Sequence, residues 1–409
     1  MKILFLTHYY TPEGNAPASR VSALAERWVK AGHEVTVLTG FPNVPDGVVY
    51  EGYRNRWKQV EEIKGVRVVR VWTFLAPNKG TARRILNYLS YMFRATLCGL
   101  LMKRPDVMIA TSPQFFCGWA GVLLHAARRF PFLLEIRDIW PESIATVEAG
   151  VSAGILKVLG KMEKIMYHVA DNIVTVGDGY VEKLVERGVP RDKIDVIMNG
   201  VDATMFYPRE KNLKLLDRNG LSGKFVCSYI GTVGMACGLM VVVEAGELLR
   251  RMGRDDIRLV VVGDGASREA LEREARERGL TNVVMVGRRP KQEMPDWVAS
   301  SDVNLIHLRK TDLFATVMPS KIFESAGCGR PMIIGVGGFA EKLVLDAQAG
   351  IAMEPENAKE LVGALVRLAD DHALGARLGQ NAHDYIAKIH NRNQQALDYL
   401  AVLRKAIKQ

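Results

Sequence analysis

The chain has 409 residues, 48% of them apolar and 24% charged, with no low-complexity segment or short-period repeat. That composition is globular, is long enough for two domains, and excludes a disordered or fibrous chain. The net charge of +10 suits phosphorylated ligands, anionic lipid or nucleic acid. The five scattered cysteines form no Cys-x-x-Cys pair, which argues against a disulfide framework or a zinc site and fits a reducing cytosol.

Residues 3–6 read as a buried strand, too short an apolar run for a secretory signal core. A turn-rich loop, Thr11 to Pro17, leads to a helix over 18–31, stopped by Gly32-His33, and to a strand over 34–39. This β–loop–α–β order points to a parallel sheet, in which ligands bind beyond the carboxyl ends of strands. Gly14 and Asn15 sit at such an end, where small side chains let backbone approach a ligand. Residues 41–65 read as a long polar loop and 66–71 as a strand.

A helix over 83–104 is apolar around most of its surface, with Arg83, Arg84, Lys103 and Arg104 at its ends and Arg94 inside. Arg94, Asn87 and Gly99 disfavour a membrane span. Two readings remain: a core helix of an α/β domain, or an interfacial helix partly sunk in an anionic membrane surface. Strands follow at 106–111 and 132–137. Arg137-Asp138-Ile139-Trp140-Pro141-Glu142 then places ionisable groups at a strand end, where Asp138 is either a site residue or a turn cap. The turn Asn199-Gly200-Val201-Asp202 closes a first domain at residue 198.

The second domain restarts with a strand over 225–230 and a glycine-rich loop, Gly231 to Gly238, that opens a helix. It is neither Gly-x-Gly-x-x-Gly nor a P-loop, since Gly-Lys-Ser/Thr is missing. Strands over 259–262 and 283–286 end at Gly263-Asp264-Gly265 and at Gly287-Arg288. An apolar strand over 303–308 precedes Met318-Pro319-Ser320-Lys321-Ile322-Phe323-Glu324, a short helix start closed by Gly327 to Pro331. A helix start presents N–H groups and partial positive charge to a phosphate. Lys321 adds a full charge there, and Glu324, one turn on, accepts hydrogen bonds from hydroxyls. Together they suit a ligand with a phosphate end and a polyol end, such as a sugar nucleotide. The alternative is an ordinary helix with a solvated Lys and Glu. The end of the chain is helical, with a Leu397-Leu400-Leu403 stripe that suits packing. The expected architecture is α/β: two doubly wound Rossmann-like domains, 1–198 and 199–390, facing across a cleft, with 391–409 packing back on the first.

No Asp-x-Asp ends a strand and no His/Cys cluster has metal spacing. A diphosphate would then be handled without metal, by amides, helix dipole and basic side chains. No basic cluster is interleaved with aromatics, which disfavours nucleic acid.

Asn199-Gly200-Val201-Asp202 with Phe206 and Pro208, Val262-Gly263-Asp264-Gly265, and Pro319 to Ser325 with Gly329-Arg330-Pro331 together resemble a retaining GT-B glycosyltransferase of family 4. Arg137 to Ser143 is similar to a signature of the subgroup that builds bacterial O-antigen, capsule and colanic acid repeats, some of whose members transfer N-acetyl-L-fucosamine. The resemblance implies a UDP-sugar co-substrate, no further cofactor and a polyprenyl-diphosphate-linked saccharide acceptor. It implies a cytoplasmic enzyme peripheral on the inner face of the plasma membrane. By the same resemblance Glu324 holds the donor ribose, Arg288 lies by the base, and Asp138 faces the transferred sugar. The family's second carboxylate falls at Thr316, and its usual loop Arg and Lys fall at Thr232 and Cys237, which makes Lys321 the nearest candidate for a replacement cation, ahead of Arg309 and Lys310. Donor contacts are expected from Gly14, Asn15, Gly231, Thr232, Gly234, Gly265, Arg288, Thr316, Pro319, Ser320, Lys321 and Glu324. Front-side attack, with the leaving diphosphate taking the acceptor proton, needs no enzymic nucleophile.

A UDP-sugar 2-epimerase on the same fold would need acid/base carboxylates and histidines that do not stand out. His8 and His307 end strands, where a solitary His is usually structural. An NAD-dependent dehydrogenase with Asp264 as ribose acid fits the glycine spacing poorly. A non-catalytic sugar-nucleotide binder is kept open by the lost carboxylate at Thr316.

Overall fold

Two mostly parallel sheets organise the chain, each in its own unit: Met1–Met198 with Asn393–Gln409, and Asn199–Arg392. The computed structural model describes residues 1–77, 81–112, 114–140 and 152–408.

The first unit holds β1 (Lys2–Leu6), β2 (Glu34–Thr39), β3 (Lys58–Ile63), β4 (Val66–Val71), β5 (Val107–Thr111), β6 (Phe132–Ile136), β7 (Asn172–Thr175) and β8 (Ile194–Val196). Their order is β3-β4-β2-β1-β5-β6-β7-β8, with all neighbours parallel except β3 and β4. Its helices are α1 (Ala16–Lys30), α2 (Thr81–Leu100), α3 (Phe115–Arg128), α4 (Ala153–Val169) and α5 (Asp178–Glu186). The central strands are buried along nearly their whole length because helices cover both faces.

Chain direction fixes which helix lies on which face. The crossovers β4-α2-β5, β5-α3-β6 and β6-α4-β7 all run the same way across the sheet, so right-handed connection puts α2, α3 and α4 on one face. Crossover β1-α1-β2 runs the other way and puts α1 on the opposite face. There Val21, Leu24 and Trp28 of α1 share a core with Tyr399, Leu400 and Leu403 of the terminal helix. Trp28 Nε1 donates to the Ala396 carbonyl at 3.0 Å, and its ring meets Tyr399 edge-on at 5.3 Å. Leu397, expected in the same stripe, is 56% exposed.

The expected polar loop over 41–65 is corrected in its second half, where β3 pairs antiparallel with β4. The hairpin turns at Lys64-Gly65, both at positive φ (52° and 78°), the backbone of a two-residue turn. Alternating exposed and half-exposed residues make β3 an edge strand, so it lacks the apolar run that marks its neighbours. Helix α2 ends at Leu100, short of the expected 104. It buries Tyr88, Tyr91 and Met92 and leaves Leu86, Phe93 and Leu97 exposed.

The second unit has order β11-β10-β9-β12-β13-β14, all parallel, from β9 (Phe225–Ile230), β10 (Ile257–Val262), β11 (Val283–Gly287), β12 (Val303–His307), β13 (Met332–Gly335) and β14 (Gly350–Ala352). Its helices are α6 (Leu213–Asp217), α7 (Met240–Arg251), α8 (Arg268–Glu277), α9 (Met294–Ser300), α10 (Lys321–Gly327), α11 (Phe339–Asp346), α12 (Ala358–Asp370) and α13 (His372–Ala382). Helix α14 (Arg392–Lys408) ends the chain and, past Arg392, belongs to the first unit. Strand order reverses between β1 and β5 in one sheet and between β9 and β12 in the other. The loops after β1 and β9 therefore sit at the switch points where such sheets bind ligands.

Candidate functional site

The loop after β9 is built by backbone packed on backbone. Gly231 N–H donates to the Val262 carbonyl at 2.8 Å, and Val233 N–H to the Asp264 carbonyl at 2.9 Å, so the ends of β9 and β10 are zipped together. The approach is too close for side chains: a Cβ on Gly263, whose φ is +151°, would lie 1.8 Å from the Gly231 oxygen. Gly265 likewise has no room beside the Val233 carbonyl. The glycines were legible as close-approach positions. Their partner in that approach is largely each other, and the amides of Gly231 and Val233 are already engaged.

Lys321 comes to this loop from ninety residues on. A Cβ on Gly231 would meet Lys321 Cε at 2.7 Å and Nζ at 2.8 Å. The ammonium also stands 4.9 Å from the centroid of the Tyr229 ring, within cation–π range. The absent side chain at Gly231 thus gives Lys321 its path across the end of β9. Thr232 and Cys237 make local contacts in this loop. The Thr232 carbonyl accepts from Tyr229 Oη at 2.8 Å and from Cys237 Sγ at 3.2 Å. Gly234 turns the chain into the following 3-10 turn, where Cys237 N–H donates to its carbonyl.

The start of α10 differs from the expectation. Ser320 has helical φ and ψ and makes no side-chain cap. The amides of Ile322, Phe323 and Glu324 donate to the carbonyls of Pro319 and Ser320 at 3.1–3.3 Å. These amides are not open to a phosphate, and the charge offered at this end is that of Lys321. Pro319, Ser320, Lys321 and Glu324 are all half-buried, while Ile322, Phe323, Ser325 and Ala326 face the core. Burial pushes the Glu324 carboxyl above its ordinary value, against the pull of Lys321, Arg392 and Lys291. Thr316 is buried, and its hydroxyl donates to the Leu313 carbonyl at 2.7 Å within its own turn. Arg288 is exposed just past β11. His307 is satisfied on both ring nitrogens: Nδ1 pairs with the Cys237 carbonyl at 2.7 Å, and Nε2 accepts from Glu356 N–H at 2.9 Å.

In the first unit Gly14 is exposed with open space around it, and Asn15 caps α1, its side chain accepting from Ala18 N–H at 2.9 Å. Asp138 is half-buried directly after β6, beside Ser112, Phe115 and Trp140. The rest of that signature, Pro141 to Ser143, lies outside the described residues. Sequence reasoning passed over Glu13. Its Oε1 accepts from the amides of Asn43 (3.0 Å) and Val44 (3.2 Å), and burial raises its carboxyl to about 7. The only signal was a carboxylate in the loop after β1. Each set of residues gathers at the carboxyl edge of its own sheet. Among the described residues no group of His, Cys, Asp and Glu could hold a metal ion.

Residues 15–200 match the family model described as glycosyl transferase 4-like domain, and residues 224–371 match the model of glycosyl transferases group 1. The chain belongs to this glycosyltransferase family. Its fold is two doubly wound domains of the GT-B type. Over 377 residues it is 26% identical to "Putative colanic acid biosynthesis glycosyl transferase WcaI" of Escherichia coli (strain K12), covering 89% of this chain and 91% of that one. Over 383 residues it is 24% identical to the GDP-mannose-dependent alpha-mannosyltransferase of Mycobacterium tuberculosis, covering 92% and 91%. The crystal structure of Anabaena HepE in complex with UDP-glucose superposes with a TM-score of 0.73 at 17% identity, over 98% of this glycosyltransferase and all of HepE.

Proposed function

We propose that this glycosyltransferase moves a sugar, with retention, from a UDP-linked donor to a polyprenyl-diphosphate-linked saccharide in surface polysaccharide synthesis. N-acetyl-L-fucosamine is the proposed sugar, and the inner face of the plasma membrane the proposed place. The observation that carries the reading is the Lys321 ammonium lying across Gly231 at the switch point of the second sheet. The family's loop cations are absent at Thr232 and Cys237, so one cation delivered from α10 stands over the loop instead.

The mechanism follows from where charge develops. As the sugar–phosphate bond breaks, negative charge grows on the departing diphosphate, and a fixed ammonium stabilises that charge more than the ground state. The diphosphate takes the acceptor hydroxyl's proton on the face it leaves, so configuration is kept. Glu324, one helical turn from Lys321, accepts hydrogen bonds from the ribose hydroxyls. Asp138 is assigned to the transferred sugar and Arg288 to the base. Thr316 commits its hydroxyl proton to the Leu313 carbonyl, so the backbone of its turn is assigned the sugar contact that a carboxylate there would make.

Titration calorimetry with UDP tests the assignment. Lys321→Ala is expected to weaken UDP by roughly 1.5–3 kcal/mol, the worth of a hydrogen bond to a charged group. Unchanged affinity would make Lys321 a surface cation. Glu324→Ala is expected to lower kcat/KM about a hundredfold or more through the lost ribose contacts; turnover near that of the native chain refutes that role. A GDP-linked donor is the second reading, favoured by the GDP-mannose-dependent relative. The same titration with GDP separates the two.

A further inference from the structure

The first unit carries two apolar stripes that its own fold does not cover. On α2 and the turn after it, Leu86, Phe93, Leu97 and Leu101 are 53%, 58%, 53% and 87% exposed. Their spacing of seven, four and four residues puts them on one face of the helix. On α4, Ile155, Val158 and Ile165 are 54%, 57% and 49% exposed, again on one face. Helices docked against a sheet normally turn polar residues outward. Both of these bury one apolar face and present another.

The two stripes belong to one side of the first unit. Helix α2 packs on α3 and α3 on α4, and the crossover directions place all three on the same face of the sheet. Neighbouring axes lie about 10 Å apart, so the stripes run roughly 20 Å from each other along helices about 25–30 Å long. Trp57 adds to the α2 side: it is 70% exposed, and Arg94 of α2 lies 3.2 Å over its ring and donates to its carbonyl at 3.0 Å.

Charge identifies the occupant. Arg83, Lys103 and Arg104 are exposed at the ends of the first stripe, and Lys157, Lys161 and Lys164 beside the second. The sequence of α2 contains no Asp or Glu. The single carboxylate of α4, Glu163, is buried and bonded to Tyr167 and Arg187. A second copy of a chain with net charge +10 would bring the same cations against these. Apolar side chains ringed by lysine and arginine, with an indole at the edge, match the interface of a bilayer with anionic headgroups. We infer that α2 and α4 form one two-helix docking surface for an anionic membrane, both stripes entering the acyl boundary together. This surface accompanies the proposed lipid-linked acceptor. Vesicle binding is read without turnover, so failure of one is distinguishable from failure of the other.

Co-sedimentation of the full chain with phosphatidylcholine vesicles, with and without roughly a third phosphatidylglycerol, tests this. Binding is expected to the anionic vesicles, falling as salt rises. The pair Phe93→Ser/Leu97→Ser and the pair Ile155→Ser/Val158→Ser are each expected to lower partition about tenfold or more, with circular dichroism and transfer to a soluble acceptor analogue unchanged. The pair Lys157→Gln/Lys161→Gln should weaken anionic binding without altering any apolar contact. No binding by the native chain, or binding by the α4 pair equal to the native chain, overturns the two-helix surface. So does sedimentation velocity showing a dimer that the serine variants dissociate.

Discussion

Glu13 and His8 show at single residues what the loop after β1 costs and how pH reads it. Burial raises the Glu13 carboxyl from 4.5 to about 7 and lowers the His8 imidazole to about 4. Between pH 4.5 and 7 the unfolded chain ionises Glu13 while the folded chain keeps its proton. The folded state then binds more protons, and stability falls as pH rises through that window. His8 acts the other way: its contribution is present above its unfolded value of 6.5 and is lost as pH falls toward 4. Glu13→Gln should remove the first effect and leave the second. Urea unfolding is expected to show the variant gaining on the native chain by on the order of 3 kcal/mol between pH 4 and pH 8. A constant difference across that range would mean that Glu13 does not hold its proton in the fold. Residues of this kind were poorly legible in the sequence. Glu13 is one carboxylate in a turn-rich loop until Asn43 and Val44, some thirty residues on, bring their amides to it. Lys321 and Glu324 were legible as a pair because helical spacing is local; the route of Lys321 across Gly231 was not, because it depends on β9 and α10 converging.

At the level of elements, buried parallel strands announced themselves, since both faces of β1, β2, β5, β9 and β12 must be apolar. Strand β3 did not, because an edge strand may alternate charge with partial burial. The α10 start was read correctly as a position and wrongly as a set of open amides, since a sequence does not reveal whether Pro319 and Ser320 turn their carbonyls to the helix. The terminal helix is the element whose removal is easiest to read. Tyr399 is fully buried against Trp28, and Tyr399→Ala should cost the first unit about 3–5 kcal/mol in denaturant unfolding, as for other large aromatic deletions in cores. A loss below about 1 kcal/mol would mean that α14 merely lies on the surface of that core.

For the whole molecule, each unit has its own sheet and its own core, so ligand binding and unfolding can be assigned unit by unit. The proposed assignment puts the donor diphosphate on the second unit, and it then requires UDP at a hundredfold excess over Kd to stabilise that unit by about 2.7 kcal/mol. Calorimetry should then show one of two transitions moving up with UDP while the other stays. Movement of the first unit's transition alone would place the nucleotide on the wrong domain. The doubly wound pattern was legible in the sequence because repeated strand–loop–helix spacing is a local feature, and the family through the resemblance of short motifs such as Pro319 to Ser325; the choice of donor and acceptor depends on surfaces assembled from distant segments.

The terminal helix also sets an order of assembly. The chain leaves its first unit at Met198 and supplies the last part of that unit only after Arg392. During synthesis the second unit can complete its core while the first still lacks Tyr399, Leu400 and Leu403. A nascent chain therefore exposes Trp28 and its neighbours until the closing residues leave the ribosome, and the unit begun first is the one finished last.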